Sequence, residues 1–112
     1  MVDLYADLHL HSLYSDGTDT PNELIDLAAS NHIRVISIAD HDSIAAYGAI
    51  KSIDTNVKII PAIEISTVLA HNYLHMLGYY VNIQSQDLIN YIQRVSNEKT
   101  ENTRINFVNA MN

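Results

Sequence analysis

The chain has 112 residues, of which 47% are hydrophobic and none is cysteine, and its formal net charge is -7. This length suffices for one domain, residues 1–112, with a hydrophobic core. The composition excludes disulfide bonds and thiolate metal sites, and the acidic charge argues against nucleic-acid binding through a basic surface. Because the chain has no run of about 18 apolar residues and no signal peptide, we expect a cytoplasmic protein without a membrane span.

The first candidate site follows a predicted strand at residues 2–8. Side chains alternate along a strand, so His9 and His11 should project to the same side. Two neighbouring imidazoles can bind one divalent metal, although they could also be ordinary strand histidines. Asp16 follows in a tight turn set by Gly17. Since Asp-Gly is common in turns, Asp16 is either a metal ligand or a turn residue.

A helix, a strand and a second helix come next. Thr20 can cap a helix that should end near Asn31. Residues 33–39 are β-branched and mostly apolar, which is typical of a strand buried in a parallel sheet. His41 stands at the end of this strand, and it is either a metal ligand or a histidine flanking the second helix, which is predicted at residues 43–53.

Two further strands carry the remaining candidates. The first is predicted at residues 57–65, with Glu64 close to its end and Pro61 as the source of a local irregularity. A carboxylate at the end of an apolar strand is costly without a partner, which a metal would supply. The second is predicted at residues 72–81, where His75 is either a ligand or a packed core residue.

From residue 86 onward the pattern predicts one long helix with a polar middle at residues 96–104. The order β-α-β-α-β-β-α, with crossover helices between parallel strands, predicts an α/β fold. In α/β barrels, catalytic groups come from the C-terminal ends of successive strands. Most of the candidates fall near such ends, and together they are His9, His11, Asp16, His41, Glu64 and His75.

The sequence gives weaker indications that other polar residues belong to the site. His71 should lie in the turn before the last strand, and His32 should be structural or solvated at a helix-to-strand junction. Asp7, Asp40 and Asp42 could orient the imidazoles through hydrogen bonds. Asp42 could instead cap the second helix.

Four motifs, which occur in order over residues 3–81, resemble the PHP family, the polymerase and histidinol phosphatase superfamily. They are His9-Leu10-His11 with Ser15-Asp16-Gly17, Ala39-Asp40-His41-Asp42, Ala62-Ile63-Glu64-Ile65-Ser66 and His75-Met76-Leu77-Gly78-Tyr79. Alanine replaces the family's usual threonine in the second motif, at a position outside the expected ligands.

The resemblance implies a distorted (β/α)7 TIM-like barrel that binds up to three divalent metal ions. A set of histidines and carboxylates suits zinc, manganese or iron. By motif, the first metal is expected at His9, His11 and Glu64, the second at Glu64, as a bridge, and His75, and the third at Asp16 and His41. The implied reaction is phosphoester hydrolysis by a metal-activated hydroxide.

The family's later motifs, an A-H-P-type histidine and an S-D-x-H pair, have no counterpart in this sequence. We therefore expect the incomplete, N-terminal part of a single PHP domain, and its open sheet edge favours self-association. Three functions stay open. They are a phosphoesterase acting on a small phosphorylated molecule such as a nucleotide, a catalytically incomplete metal-binding or interaction module, and the PHP module of a DNA polymerase.

Overall fold

The computed structural model describes residues 5–51 and 56–111, with side chains described as far as residue 101. The chain divides into two compact units, residues 1–82 and 83–112. In chain order, the elements are β1 (Tyr5–Leu10), α1 (Pro21–Ser30), β2 (Ile33–Ile38), α2 (Ala45–Ala49), β3 (Lys58–Ile59), β4 (Ala62–Leu69), β5 (Asn72–Tyr79) and α3 (Gln86–Met111).

The first unit is built on a parallel sheet with the order β1-β2-β3. Thr20 caps α1 as predicted, because its hydroxyl accepts a hydrogen bond from the Glu23 N–H at 3.1 Å. The apolar side of α1 then covers β2, where buried Ile25 and Ala28 pack in one cluster with Ile36. The predicted crossover helix between parallel strands is confirmed.

The single strand predicted at residues 57–65 is wrong, because the chain forms two strands there. β3 ends at Ile59, and β4 begins at Ala62 in a separate antiparallel sheet with β5. Pro61 lies between them, where its missing N–H interrupts the ladder. The predicted irregularity at Pro61 is therefore confirmed, but its consequence is larger than expected, since the chain changes sheets.

Other boundaries shift by a few residues. The helix predicted at residues 43–53 is limited to α2, and Ile50 after it already has an extended backbone, with φ -69° and ψ 120°. Residues 2–4 of the first predicted strand and 52–53 of that helix lie outside the described residues. The last strand ends at Tyr79, because Tyr80 has a φ of 58°.

The hairpin of β4 and β5 turns over only two residues. Leu69 pairs with Asn72, and Ala70 and His71 between them have φ values of 50° and 66°. This is the backbone of the tight hairpin turns that usually contain Asn-Gly. His71 therefore lies in the turn, as predicted.

The second unit contains α3, and the prediction of one long helix is confirmed. Residues 96–101 in its middle are exposed, as their polarity indicated. Among the described residues, no helix combines the length and the apolar character that crossing a membrane requires. The α/β class is thus confirmed, whereas the described strands form two small sheets and not the expected TIM-like barrel.

Candidate metal centre

Glu64 is the centre of the candidate site, and four imidazoles surround its carboxylate. Oε1 lies 2.5 Å from Nε2 of His9 and 3.4 Å from Nε2 of His11. Oε2 lies 2.6 Å from Nδ1 of His75 and 3.1 Å from Nδ1 of His41. Glu64 itself is 5% exposed. The two oxygens of one buried carboxylate therefore face two different pairs of histidines.

Asp16 occupies a second position in the cluster, between two of these histidines. Its Oδ1 lies 3.2 Å from Nδ1 of His11, and its Oδ2 lies 3.2 Å from Nε2 of His41. The two imidazole rings stack with their centroids 4.6 Å apart. The Asp16 side chain is 64% exposed, so this side of the cluster opens to solvent.

The backbone brings Glu64 beside the end of β2. Its N–H donates to the carbonyl of Asp40 at 3.0 Å, and its carbonyl accepts from the N–H of Asp42 at 2.9 Å. This parallel bridge pairs Glu64 with His41. The expectation that Glu64 ends its strand is wrong, since it is near the start of β4. It nevertheless lies at the C-terminal end of β2, where the barrel analogy placed the site.

The hairpin supplies His75 through its register. His75 is opposite Ser66, and Glu64 is opposite Leu77, so Glu64 and His75 are diagonal neighbours. Opposite and diagonal residues of this kind share one face of a sheet. A one-residue slip would turn either side chain to the other face, which makes the hairpin register a condition of the site.

A buried carboxylate, Asp40, holds the loop that carries Asp16. Its Oδ1 accepts hydrogen bonds from the Ser12 N–H at 2.7 Å and the Ser15 hydroxyl at 2.7 Å. Its Oδ2 accepts from the Ser12 hydroxyl at 2.6 Å. The sequence suggested that Asp40 orients imidazoles, whereas these bonds go to serines. Ser15 then lies 3.4 Å from both His11 Nδ1 and Asp16 Oδ1, so Asp40 acts on the cluster through Ser15.

Gly17 explains why the turn can be so tight. A Cβ atom at this position would lie 2.2 Å from the carbonyl oxygen of His11, which is closer than real contacts allow. The Gly17 N–H donates to the carbonyl of Ser12 at 2.9 Å. The predicted turn therefore depends on Gly17, because only a residue without a side chain lets the backbone pass this close to the carbonyl of His11.

The carboxylates of Asp7 and Asp42 both accept hydrogen bonds from main-chain N–H groups. The Asp7 carboxylate accepts a 3.3 Å hydrogen bond from the main-chain N–H of His9, not from an imidazole. The Asp42 carboxylate accepts from the N–H of Ser66 in β4 at 3.0 Å. Asp42 does not cap α2, whose N-cap residue is Ile44 without a side-chain cap.

The sequence allowed Tyr47 to be either a residue lining a substrate pocket or a packing residue, and the structure gives it a connecting role between two strands. Its hydroxyl donates to the carbonyl of Ile38 at 2.5 Å and accepts from the N–H of Ala62 at 2.8 Å. Tyr47 thus ties the end of β2 to the start of β4. Burial, with a smaller contribution from the negative charge of Asp40, raises the pKa of Tyr47 to about 12, so the hydroxyl keeps its proton at neutral pH.

The electrostatics of Glu64 favour its charged form. Burial raises the pKa of this carboxyl group, but hydrogen bonds with His9 and His75 oppose that effect, as do the nearby charges of His41 and His11. The net result is a pKa below the ordinary value. Glu64 therefore presents an anionic carboxylate, which is the form that binds a cation.

The donor atoms form three groups that could each hold a metal ion, with all donor atoms of a group within 4.8 Å of one another. The groups are His9, His11 and Glu64; His11, Asp16 and His41; and His41, Glu64 and His75. In a tetrahedral metal site with bonds of about 2.0–2.1 Å, ligand atoms are about 3.3–3.4 Å apart. Four of the six separations in this cluster are 3.1–3.4 Å and are close to that spacing, whereas the two of 2.5 and 2.6 Å are hydrogen-bond distances. The donor types and these four separations fit divalent ions.

These groups contain every predicted ligand and no other histidine. His11 and His41 each belong to two of the groups, whereas the motif comparison assigned each of them to a single metal. His32 and His71 belong to none of the groups found among the described residues. Both have positive φ values, of 61° and 66°, which accords with structural positions.

Comparison with known proteins identifies the family. A family model described as the PHP domain matches residues 7–110. The 5'-3' exoribonuclease Rnm of Salmonella typhimurium is 36% identical over 81 residues, which are 69% of this chain and 28% of that protein. The 3',5'-nucleoside bisphosphate phosphatase of Chromobacterium violaceum is 32% identical over 74 residues, which are 64% of this chain and 26% of that protein.

The structure of another protein has a similar fold. It belongs to a protein of Bifidobacterium adolescentis inferred to be a metal-dependent phosphoesterase, with a TM-score of 0.70 and 23% identity. The match covers 81% of this chain and 32% of that one. The chain thus spans about a quarter to a third of each of these three proteins. On its motifs, its fold and its match to the family, the chain belongs to the PHP family.

Proposed function

We propose that the protein is a metal-dependent hydrolase of phosphoesters, and specifically of a phosphomonoester on a nucleotide or another small metabolite. The observation that carries this proposal is the arrangement of four histidines, Asp16 and Glu64 in one cluster, in three groups that share members. Shared ligands bring metal ions close together, as phosphoester chemistry with several metals requires.

In this proposal the three groups hold up to three divalent ions, and the donor set suits zinc, manganese or iron. Bound ions would supply positive charge for the phosphoryl oxygens and would lower the pKa of water. Glu64 would be shared by two of the groups, because each of its oxygens faces a different pair of histidines.

The protein's own residues would control access and orientation. The side chains of His9, His75 and Asp16 are 51%, 53% and 64% exposed, whereas that of Glu64 is 6% exposed. A phosphate group can therefore approach the outer side of the cluster while the bridging carboxylate stays away from water. Asp40 would fix the loop that carries Asp16, through its bonds to Ser12 and Ser15.

The relatives support this choice of reaction. One is named an exoribonuclease and the other a nucleoside bisphosphate phosphatase. The first name denotes cleavage of phosphodiesters in RNA and the second denotes cleavage of a phosphomonoester, so both support phosphoester hydrolysis and the second supports the phosphomonoester. The formal net charge of -7 favours a small substrate over a long polyanion. We also propose that the parallel sheet is the first part of a TIM-like barrel, in accord with the family resemblance.

Hydrolysis of a panel of phosphomonoesters, measured after addition of zinc, manganese or iron, tests the proposal. Glu64→Gln keeps the shape of the side chain and removes the bridging charge, so activity and bound metal per chain should both fall at least tenfold. His71→Asn is the matched control, because it removes an imidazole from the same hairpin outside the three groups. A Glu64→Gln variant as active as the parent would overturn the proposal.

A proposal about partners rests on the exposed β4-β5 hairpin. Leu74 and Met76 in β5 are 40% and 60% exposed, and edge strands of this kind pair readily with other chains. We propose self-association through an open sheet edge. Light scattering should give a mass above that of one chain, and a monomer at all concentrations would contradict this.

A further inference from the structure

One face of the hairpin runs from the metal centre to an exposed aromatic residue. Glu64, His75 and Tyr73 lie on the same face, because Tyr73 is two residues from His75 along β5 and Val68 is opposite Tyr73. Along a strand, two residues span about 6.8 Å. Tyr73 is therefore the next side chain outward from His75 on the side that carries the cluster.

The aromatic ring of Tyr73 and the opposite side chain of Val68 together form an exposed surface, which we name the Tyr73 platform. Tyr73 is 85% exposed and Val68 is 58% exposed. Residues 62–79, which form the hairpin, contain no lysine or arginine. The platform therefore suits an uncharged, planar group and offers nothing to a second phosphate or to a polynucleotide backbone.

We infer that the Tyr73 platform binds the base of a mononucleotide whose phosphate lies at the metal centre. The inference rests on the proposed function, narrows its substrate to a mononucleotide and assigns the residue that would hold the base. In a mononucleotide one sugar separates the phosphate from the base, and here one strand repeat separates His75 from Tyr73. Stacking on an aromatic side chain tolerates every base, since each has a π-face.

Kinetics with two phosphomonoesters that differ only in the base test this inference. AMP and ribose 5-phosphate are compared on the parent protein and on Tyr73→Ala. Loss of base stacking should raise KM for AMP by about 5-fold to 150-fold, with kcat retained because the contact is equal in the ground and transition states. KM for ribose 5-phosphate should stay within about twofold.

Two control variants separate stacking from a general effect on the hairpin. Tyr73→Phe keeps the aromatic ring and should behave like the parent protein. Leu69→Ala is the matched exposed position, because Leu69 is 66% exposed at the same end of the hairpin but on the opposite face. It should leave both KM values unchanged.

Calorimetric binding of AMP and ribose 5-phosphate gives a readout that does not depend on turnover. Tighter binding of AMP that Tyr73→Ala abolishes supports the inference, even if neither compound is hydrolysed and the proposed function fails. Hydrolysis of both compounds with equal KM and no effect of Tyr73→Ala overturns the inference and leaves the proposed function standing. An effect of Tyr73→Ala that is confined to a short single-stranded RNA also overturns it, in favour of a polynucleotide.

Discussion

Replacing Asp40 with alanine should destabilise the fold and loosen one part of the metal centre. Asp40 is fully buried and accepts three hydrogen bonds from Ser12 and Ser15. Without it, the Ser12 N–H loses its acceptor and cannot turn away, at a cost of about 1–3 kcal/mol. The hydroxyl groups of Ser12 and Ser15 can rotate towards other partners, so the loss of each of their hydrogen bonds should cost only about 0.5–1.5 kcal/mol. The free energy of unfolding should therefore fall by about 2–6 kcal/mol.

Asp40→Asn should be much milder. The amide oxygen can keep both hydrogen bonds now made to Oδ1, from the Ser12 N–H and the Ser15 hydroxyl. Only the bond between the Ser12 hydroxyl and Oδ2 must be reversed, which should cost about 1 kcal/mol. Asp26→Asn, on an exposed position of α1, controls for the lost negative charge and should have no measurable effect.

Urea unfolding measures these differences, and calorimetric metal titration measures their effect on the centre. Asp16 depends on the loop that Asp40 holds, whereas His9 and His75 come from strands. Metal binding by the group containing Asp16 should therefore weaken more than binding by the other groups. The reasoning is refuted if Asp40→Ala lies within 0.5 kcal/mol of the parent, roughly the scatter among neutral surface variants.

Three other variants test local geometry. Gly17→Ala should lower the free energy of unfolding by about 1–3 kcal/mol or more and reduce metal binding, because the added Cβ would lie 2.2 Å from the carbonyl oxygen of His11. Thermal unfolding and metal content per chain measure these two effects. Tyr47→Phe should cost about 1–3 kcal/mol in urea unfolding, since a buried N–H of β4 loses its acceptor. The parent should lose stability as pH rises from about 10 to about 12, because folding raises the pKa of Tyr47, and Tyr47→Phe should lack this loss. Ala70→Asn with His71→Gly should raise thermal stability by about 1 kcal/mol, because both residues have positive φ values; an unchanged melting temperature would contradict this.

Local pattern was sufficient to indicate which side chains could meet, whereas the assignment of metal ligands came from the family motifs and stays a prediction. The alternation that put His9 and His11 on one side of β1 requires only strand geometry, and their ring centroids are 5.1 Å apart. His41 and His75 were identified from their positions at or within predicted strands. The structure brings all of them to Glu64.

The sequence could not reveal that the chain changes sheets at Pro61. A short apolar run that contains proline is compatible with a bulge, an edge strand or a break. Which of these occurs depends on long-range pairing, and here β4 pairs with β5 while β3 pairs with β2. The same limit applies to Asp40, because its serine partners are 25 and 28 residues away and no local pattern links them.

Because the chain changes sheets at Pro61, residues of both sheets can meet in the candidate metal centre. β1 and the segment after β2 supply His9, His11 and His41, whereas the antiparallel hairpin supplies Glu64 and His75. The bridge between His41 and Glu64 and the hydroxyl of Tyr47 connect the two sheets. Any ion held by His9, His11 or His41 and by Glu64 would add a further connection. Because such an ion binds only when the hairpin is in place, metal binding and attachment of the hairpin must stabilise each other.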